Sequence, residues 1–337
     1  MKVYKIRSGI GDLNAQGKSY FERDLDTLVN NQIYAPNIRE LNDPMEGFVD
    51  DSFLITLLGS LQPLSVDVLN SYDNLYNSLM QKNGIYSLTK DVKNELLWSY
   101  YGSSHYGFAI EYDLDRLKFC LNHNDYFRVF DLDVDYVEKV PIINIEMIVQ
   151  PKNCDFIKTF IGTKSKAWQH ENELRVIFNN DGFHEIDYRS VTGIYFGVRM
   201  SETEMNLIMK KLAGRGIAYY KMKLDNATYK LYPSRIDDPF KNAEQYTQNI
   251  VDYDIDQLIS SSYFTKDEVD KYKELFIKAL ELIKNEPYIS KFNFLAITYE
   301  NDTPLLKVFA KIKTGFPPQR EYLFKINEEG NVHLIQT

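Results

Sequence analysis

WQHENELRVIF, Trp168 to Phe178, is the run on which the reading of this 337-residue chain turns. Leu174, Val176 and Phe178 alternate with Glu173, Arg175 and Ile177, the period of two that makes a β-strand with one apolar face. Glu171 extends the Glu173 and Arg175 side backwards by one repeat, so two glutamates and an arginine share a face at the mouth of a strand. Two readings of that face stand side by side. One is a solvated Glu–Arg pair, which contributes little. The other is a carboxylate beside an arginine and aromatics, placed to stabilise a developing sugar cation.

Outward from this run, strands are expected in VYKIRS at the N-terminus, around Gln32 to Ala35, and in GIYSL (Gly84 to Leu88). Further strands are expected in GFAIEYD, where Phe108, Ile110 and Tyr112 alternate, near DVDYVEKV, and in VTGIYFGV and AYYKMKL. DVKNELLWSYYG has the spacing of an amphipathic helix ended by Gly102. In LNDPMEG, Asp43, Pro44 and Glu46 fit an N-cap, a first-turn proline and an N3 glutamate. They predict a helix opening there, broken near Gln62 and Pro63 and ending about Met80. Ser201 with Glu204, and Thr265 with Glu268, predict two more capped helices, and residues 142 to 168 contain helical turns ending in KSKAW. Helices and strands mix without regular βαβ alternation, so the fold class is α+β with a mixed or antiparallel sheet. From Asp237 the chain turns acidic. A helix followed by FNFLAITYE, LLKVFAKI, EYLFKI and NVHLIQT predicts a small α+β domain over 237–337 beside a first domain over 1–236.

Composition narrows the function classes. Hydrophobic residues make up 44%, enough for a core. No apolar run approaches the roughly 18 residues that cross a bilayer, and MKVYKIRSGI lacks the plan of a signal peptide, so a cytoplasmic protein without a membrane partner is expected. Cys120 and Cys154 lie far apart with no metal-ligand spacing, so reduced thiols and no metal are expected. A net charge of −9 argues against holding nucleic acid through counterion release and leaves it only as a specific acceptor. Glycine-rich phosphate loops, HExxH and GxSxG are all missing, which argues against P-loop, Rossmann, metalloprotease and α/β-hydrolase chemistry.

Two further groups are candidates. Trp98, Tyr100, Tyr101, His105 and Tyr106 concentrate aromatic and polar groups where a helix gives way to a strand. There the rings can stack a nicotinamide and His105 can donate to a phosphate or ribose hydroxyl. The plain alternative is a core tryptophan and a loop histidine. Tyr4 and Arg7 lie on the first strand. Asn42 to Glu46, as a helix start, would favour a ligand's diphosphate with Arg7 or Arg39 assisting, although capping alone explains that pattern.

YKIR (Tyr4 to Arg7), NDPME (Asn42 to Glu46), WSYYGSSHYG (Trp98 to Gly107), WQHENELR (Trp168 to Arg175) and IYFG (Ile194 to Gly197) occur in this order over roughly residues 1 to 235. Together they resemble a widespread bacterial family known as a domain of unknown function. The order of elements is also remotely similar to that of the DNA-targeting ADP-ribosyltransferase toxins. That resemblance implies an ADP-ribosyltransferase-like enzyme of bacterial conflict or phage defence that consumes NAD and needs no metal. On it, Glu173 is the catalytic glutamate, Glu171 orients the acceptor, and Arg7 grips the diphosphate, with Tyr4 and Asn42 nearby. Trp98, Tyr100 and His105 line the nicotinamide pocket. The rival from another class is a non-catalytic sensor or scaffold whose C-terminal domain docks a protein partner such as an antitoxin.

Overall fold

The segment ELRVIF forms the strand Glu173–Phe178, and all six of its residues are buried. Strand alternation places Glu173, Arg175 and Ile177 together as expected, but both faces of the strand are covered. A strand buried on both sides must satisfy its polar side chains from other elements. The strand Phe108–Asp113 is likewise buried from Phe108 to Tyr112 rather than on one face only.

The structure, a computed structural model, describes every residue except 10, 12, 14–16, 18, 62–65, 122–129, 150–154, 263, 314–318, 328 and 337. The expected break at Gln62 and Pro63 lies outside the described residues, as do Cys154 and the side chain of Cys120. The chain divides into two units, one made of Met1–Lys118 with Val129–Glu244, the other containing Gln245–Thr337.

The first unit is α+β, built on an eight-stranded mixed sheet. The strands run in the spatial order Leu231–Ile236, Ala218–Leu224, Val191–Phe196, Phe108–Asp113, Lys2–Arg7, Gly84–Thr89, Glu173–Phe178 and Phe130–Asp133. Val191–Phe196 and Ala218–Leu224 pair in parallel, and the crossover this requires carries the helix Glu202–Lys211, opened by the Ser201–Glu204 capping box. The sequence reading had no strand at LYPSRI; Pro233 is tolerated there because Leu231–Ile236 is the edge strand.

The helix Tyr20–Val29, capped by Ser19, buries Phe21, Leu25 and Leu28 and sets Phe21 edge-on to Phe108 at 5.9 Å. Leu54, Leu58, Leu79, Phe156 and Phe160 pack with Ile85 and Ile177 of the sheet, while Trp98, Leu97 and Val92 pack with Ile6, Ala109 and Tyr195.

The helix expected from Asp43 is not formed. Residues 44–47 make a turn in which Asp43 Oδ1 accepts from the Met45 amide, and the next helix is Ser52–Ser60. An Asp followed by a proline begins a turn as readily as a helix. The Glu46 side chain, freed from capping, reaches the buried Arg175 instead.

In the second unit the helix Lys266–Ile283, opened by the Thr265–Glu268 capping box, packs Phe276, Leu280 and Ile283 with Leu306, Val308, Tyr322 and Phe324. Those last four residues belong to a four-stranded antiparallel sheet of Ile289–Glu300, Thr303–Ile312, Gln319–Ile326 and Val332–Gln336. Asn301 and Asp302, both at positive φ, close its first hairpin, as a two-residue turn between twisted strands requires.

Candidate active site

The neighbouring strands Lys2–Arg7 and Gly84–Thr89 are in register at Tyr4↔Thr89 alone among the described residues, and then part. A cleft of about 620 Å³ opens there, within the range of small-molecule sites. Consecutive strand residues point to opposite faces, yet Tyr4, Lys5, Ile6, Arg7 and Ser8 all line it, so the cleft runs along the strand's parted edge. Thr89 is also in register with Glu173, so Tyr4, Thr89 and Glu173 stand opposite one another on three adjacent strands.

A buried ionic network forms one wall. Arg175 is fully buried; its Nε donates to Glu173 Oε1 at 2.9 Å, its Nη2 to Glu46 Oε1 at 2.7 Å, and its Nη1 to the Ile161 carbonyl at 2.6 Å. Lys164 Nζ lies 2.5 Å from Glu171 Oε2, 3.2 Å from Glu173 Oε2 and 3.3 Å from Glu46 Oε1. The solvated Glu–Arg pair that the strand pattern allowed is therefore not what forms. The network sets three carboxylates against two cations, which leaves the wall with a formal excess of negative charge. Burial pushes the Glu173 carboxyl up, but the charges of Arg175 and Lys164 outweigh it and hold it at about 2. Burial likewise lowers Lys164, and Glu173, Glu171 and Glu46 more than reverse this, so its ammonium is held above the ordinary lysine value.

Glu171 and Glu173 reach the same cleft by a route the alternation did not foresee. A 3₁₀ helix spans Lys166–Glu171 and ends on Asn172 in the left-handed region at φ 45, a conformation Asn accepts at low cost. Glu171 Oε1 accepts from the Tyr101 hydroxyl at 2.7 Å, and the Glu171 carbonyl accepts from Thr89 Oγ1 at 2.7 Å. Tyr101, which Asn42 also bonds, is held above the ordinary phenol value by burial and by the Glu171 charge.

Lys5 and Arg7 also line the cleft, with Asp24, Arg23 and Tyr20 from the helix Tyr20–Val29. Arg7 Nη1 is 3.8 Å from Asp24 Oδ1, beyond hydrogen-bond reach, and its buried Nε has no hydrogen-bond partner. Burial lowers Arg7, but Asp24 together with Tyr86 and Tyr112 more than reverses this, so the guanidinium is held above its ordinary value.

Glu171, Glu173, Arg7, Tyr4 and Asn42 thus meet in one cleft. Trp98, Tyr100 and His105 do not line it. Trp98 is fully buried, with Nε1 donating to the Val92 carbonyl at 2.6 Å, because its helix turns the indole inward to the core. Tyr100 is 60% exposed and sits edge-on to His170. His105 belongs to a run of left-handed residues, Ser103, Ser104 and His105, whose backbone bonds to Trp98 and Arg199. Arg39 is exposed and off the cleft, which Arg7 and Arg23 both line.

Sequence reading missed Lys5, Glu46, Lys164, Ser87 and Thr89 as cleft residues, and of the five residues in the aromatic candidate group only Tyr101 lines the cleft. Tyr101 directly follows Tyr100 and points inward where Tyr100 points out. Lys164 belongs to no motif: Glu171 and Glu173 follow it by 7 and 9 residues, but they meet it only through the fold, and Glu46 lies 118 residues away.

Among the described residues no group of three His, Cys, Asp or Glu side chains is arranged to hold a metal ion, and no helix is long and apolar enough to cross a membrane. No curated protein and no solved structure matches the chain. Residues 97–176, which include Tyr101, Lys164, Glu171, Glu173 and Arg175, match the family model described as "Protein of unknown function (DUF2971)".

Proposed function

We propose that the cleft binds NAD and that the protein transfers its ADP-ribosyl group. The observation carrying this reading is the convergence on one cleft of Arg7, Thr89 and Glu173 from three adjacent strands and of Glu171 from the 3₁₀ helix before the last of them, with a buried carboxylate network and an arginine whose Nε has no hydrogen-bond partner. In such a transfer the bond between ribose C1′ and the nicotinamide nitrogen breaks, and nicotinamide leaves with the electron pair. The ribose becomes oxocarbenium-like until the acceptor's lone pair closes on C1′ and the acceptor's proton is released. Glu173, ionised at every working pH, supplies fixed negative charge beside the forming cation; it is too weak a base to take the proton. Arg7 meets the diphosphate with its planar donors. Glu171, steadied by Tyr101 and Lys164, orients the acceptor.

Nicotinamide release from NAD, followed by chromatography, tests the reading together with the NAD-induced shift in melting temperature. Glu173→Gln, in protein whose tryptophan fluorescence melt shows it folded, should lower release by about 10²–10³, the usual cost of removing one preorganised charge-stabilising group. Wild-type protein that neither releases nicotinamide nor is stabilised by NAD, or folded Glu173→Gln that matches wild type, would overturn it.

A further inference from the structure

Lys5 is a cleft cation outside the acidic network. Its half-buried side chain lines the cleft, its Nζ donates to the Ser87 carbonyl at 2.7 Å, and the ammonium sits 5.1 Å from the centre of the Tyr86 ring. Among the described residues it has no ion pair, whereas Lys164 has three. The charged groups that act on it are Arg7 on its own strand, Asp24 from the helix Tyr20–Val29, and Glu171 and Glu173 of the acidic network. Burial and Arg7 push the amine down, and the carboxylates recover only part of this, leaving it at about 7. A neutral amine that gives one N–H to Ser87 keeps a lone pair for an electrophile. Arg7, two residues along the same strand and therefore on the same face, brings a guanidinium whose Nε is unmatched.

We propose that Lys5 is a carbonyl-capturing amine, taking an aldehyde that bears a phosphate while Arg7 holds the phosphate. The amine lone pair adds to the carbonyl carbon, the carbonyl oxygen takes up the proton, and the carbinolamine expels water to leave a C=N bond. No oxidant or reductant is needed. This inference does not depend on the NAD reading, although the aldose freed when a dinucleotide's glycosidic bond is hydrolysed falls in the same chemical class.

Pyridoxal 5′-phosphate is the probe and pyridoxal its phosphate-free control, with borohydride reduction and peptide mass mapping of the full chain. At pH 7 an amine titrating near 7 is about 10³-fold richer in free base than an ordinary lysine, so even with lower intrinsic nucleophilicity Lys5 should label at least about tenfold faster than exposed Lys139. The Lys5 rate should fall as pH drops below 7, be absent in Lys5→Arg, and lose its preference for the phosphorylated aldehyde in Arg7→Gln. Lys5 labelling no faster than Lys139, or without that pH limb, overturns the amine assignment. Equal rates with pyridoxal and its phosphate in the wild type overturn the role of Arg7. Either failure leaves nicotinamide release unaffected, so the two proposals fall separately.

Discussion

Replacing Arg175 with Met tests whether Glu46, Glu171, Glu173, Lys164 and Arg175 act as one network. The substitution keeps most of the buried volume and removes the guanidinium, leaving Glu173 beside Lys164 alone and freeing an acceptor on Glu46. Two estimates bear on the cost. Removing one partner of a buried ion pair costs about 3–5 kcal/mol. Separately, a Glu173 carboxyl held at about 2 against an ordinary 4.5 corresponds to about 3 kcal/mol of stabilisation. Because the folded-state value is depressed, that contribution is fully present above pH 4.5 and is lost as pH falls toward 2. In Arg175→Met, burial is no longer outweighed and the carboxyl protonates more easily, so the deficit against wild type should be largest near pH 7 and shrink by pH 4. Both tryptophans, Trp98 and Trp168, lie in the unit that holds the cleft, so their fluorescence reports that unit's unfolding. A urea midpoint lower by about 1–2 M at pH 7 is expected for such a loss. Adding Glu173→Gln to Arg175→Met should recover about 1 kcal/mol or more, since an unpaired buried charge is then gone. A midpoint within error of wild type at both pH values, or a double variant weaker than the sum of the singles, would refute a coupled buried network.

Two other substitutions separate the cleft from the core around it. Trp98→Phe leaves a void and an unmatched Val92 carbonyl, so it should destabilise by about 2–4 kcal/mol in the same urea assay while NAD affinity, read by calorimetry on the folded fraction, stays within about twofold. Gly107→Ala would place a methyl 2.0 Å from the Arg7 carbonyl oxygen; it should cost about 1–3 kcal/mol and weaken ligand binding as well, because the strand end that carries Arg7 must shift.

Several elements were legible because their determinants are local. The capping boxes at Ser201 and Thr265 form as the S/T-x-x-E spacing dictates, and the alternation in ELRVIF put Glu173 and Arg175 on one face. Whether that face met water was not legible, because what covers it is the turn at Glu46, the Ile161 carbonyl and Lys164, all distant in sequence or on another element. NDPME illustrates the converse: the same residue types serve a helix start or a turn, and the buried Arg175 drawing in Glu46 belongs to the turn. Trp98 and His105 are polar aromatics near a loop, yet the loop's shape is set by close backbone packing. A Cβ on Gly197 would lie 2.2 Å from the His105 carbonyl oxygen, so position 197, against which this loop packs, has room for glycine only.

The parted strands have a further consequence. In an intact ladder the peptide groups of Lys5 to Arg7 and of Ser87 to Leu88 would satisfy one another; here Ser87's carbonyl accepts from the Lys5 side-chain nitrogen instead. Part of the cleft's recognition surface is therefore main chain, which no side-chain substitution can delete. Selectivity for a ligand's hydroxyl and amide groups written into that edge would persist through wide drift in the flanking residues, and a bound molecule bridging the gap would act as a surrogate strand, tying the two parts of the sheet together.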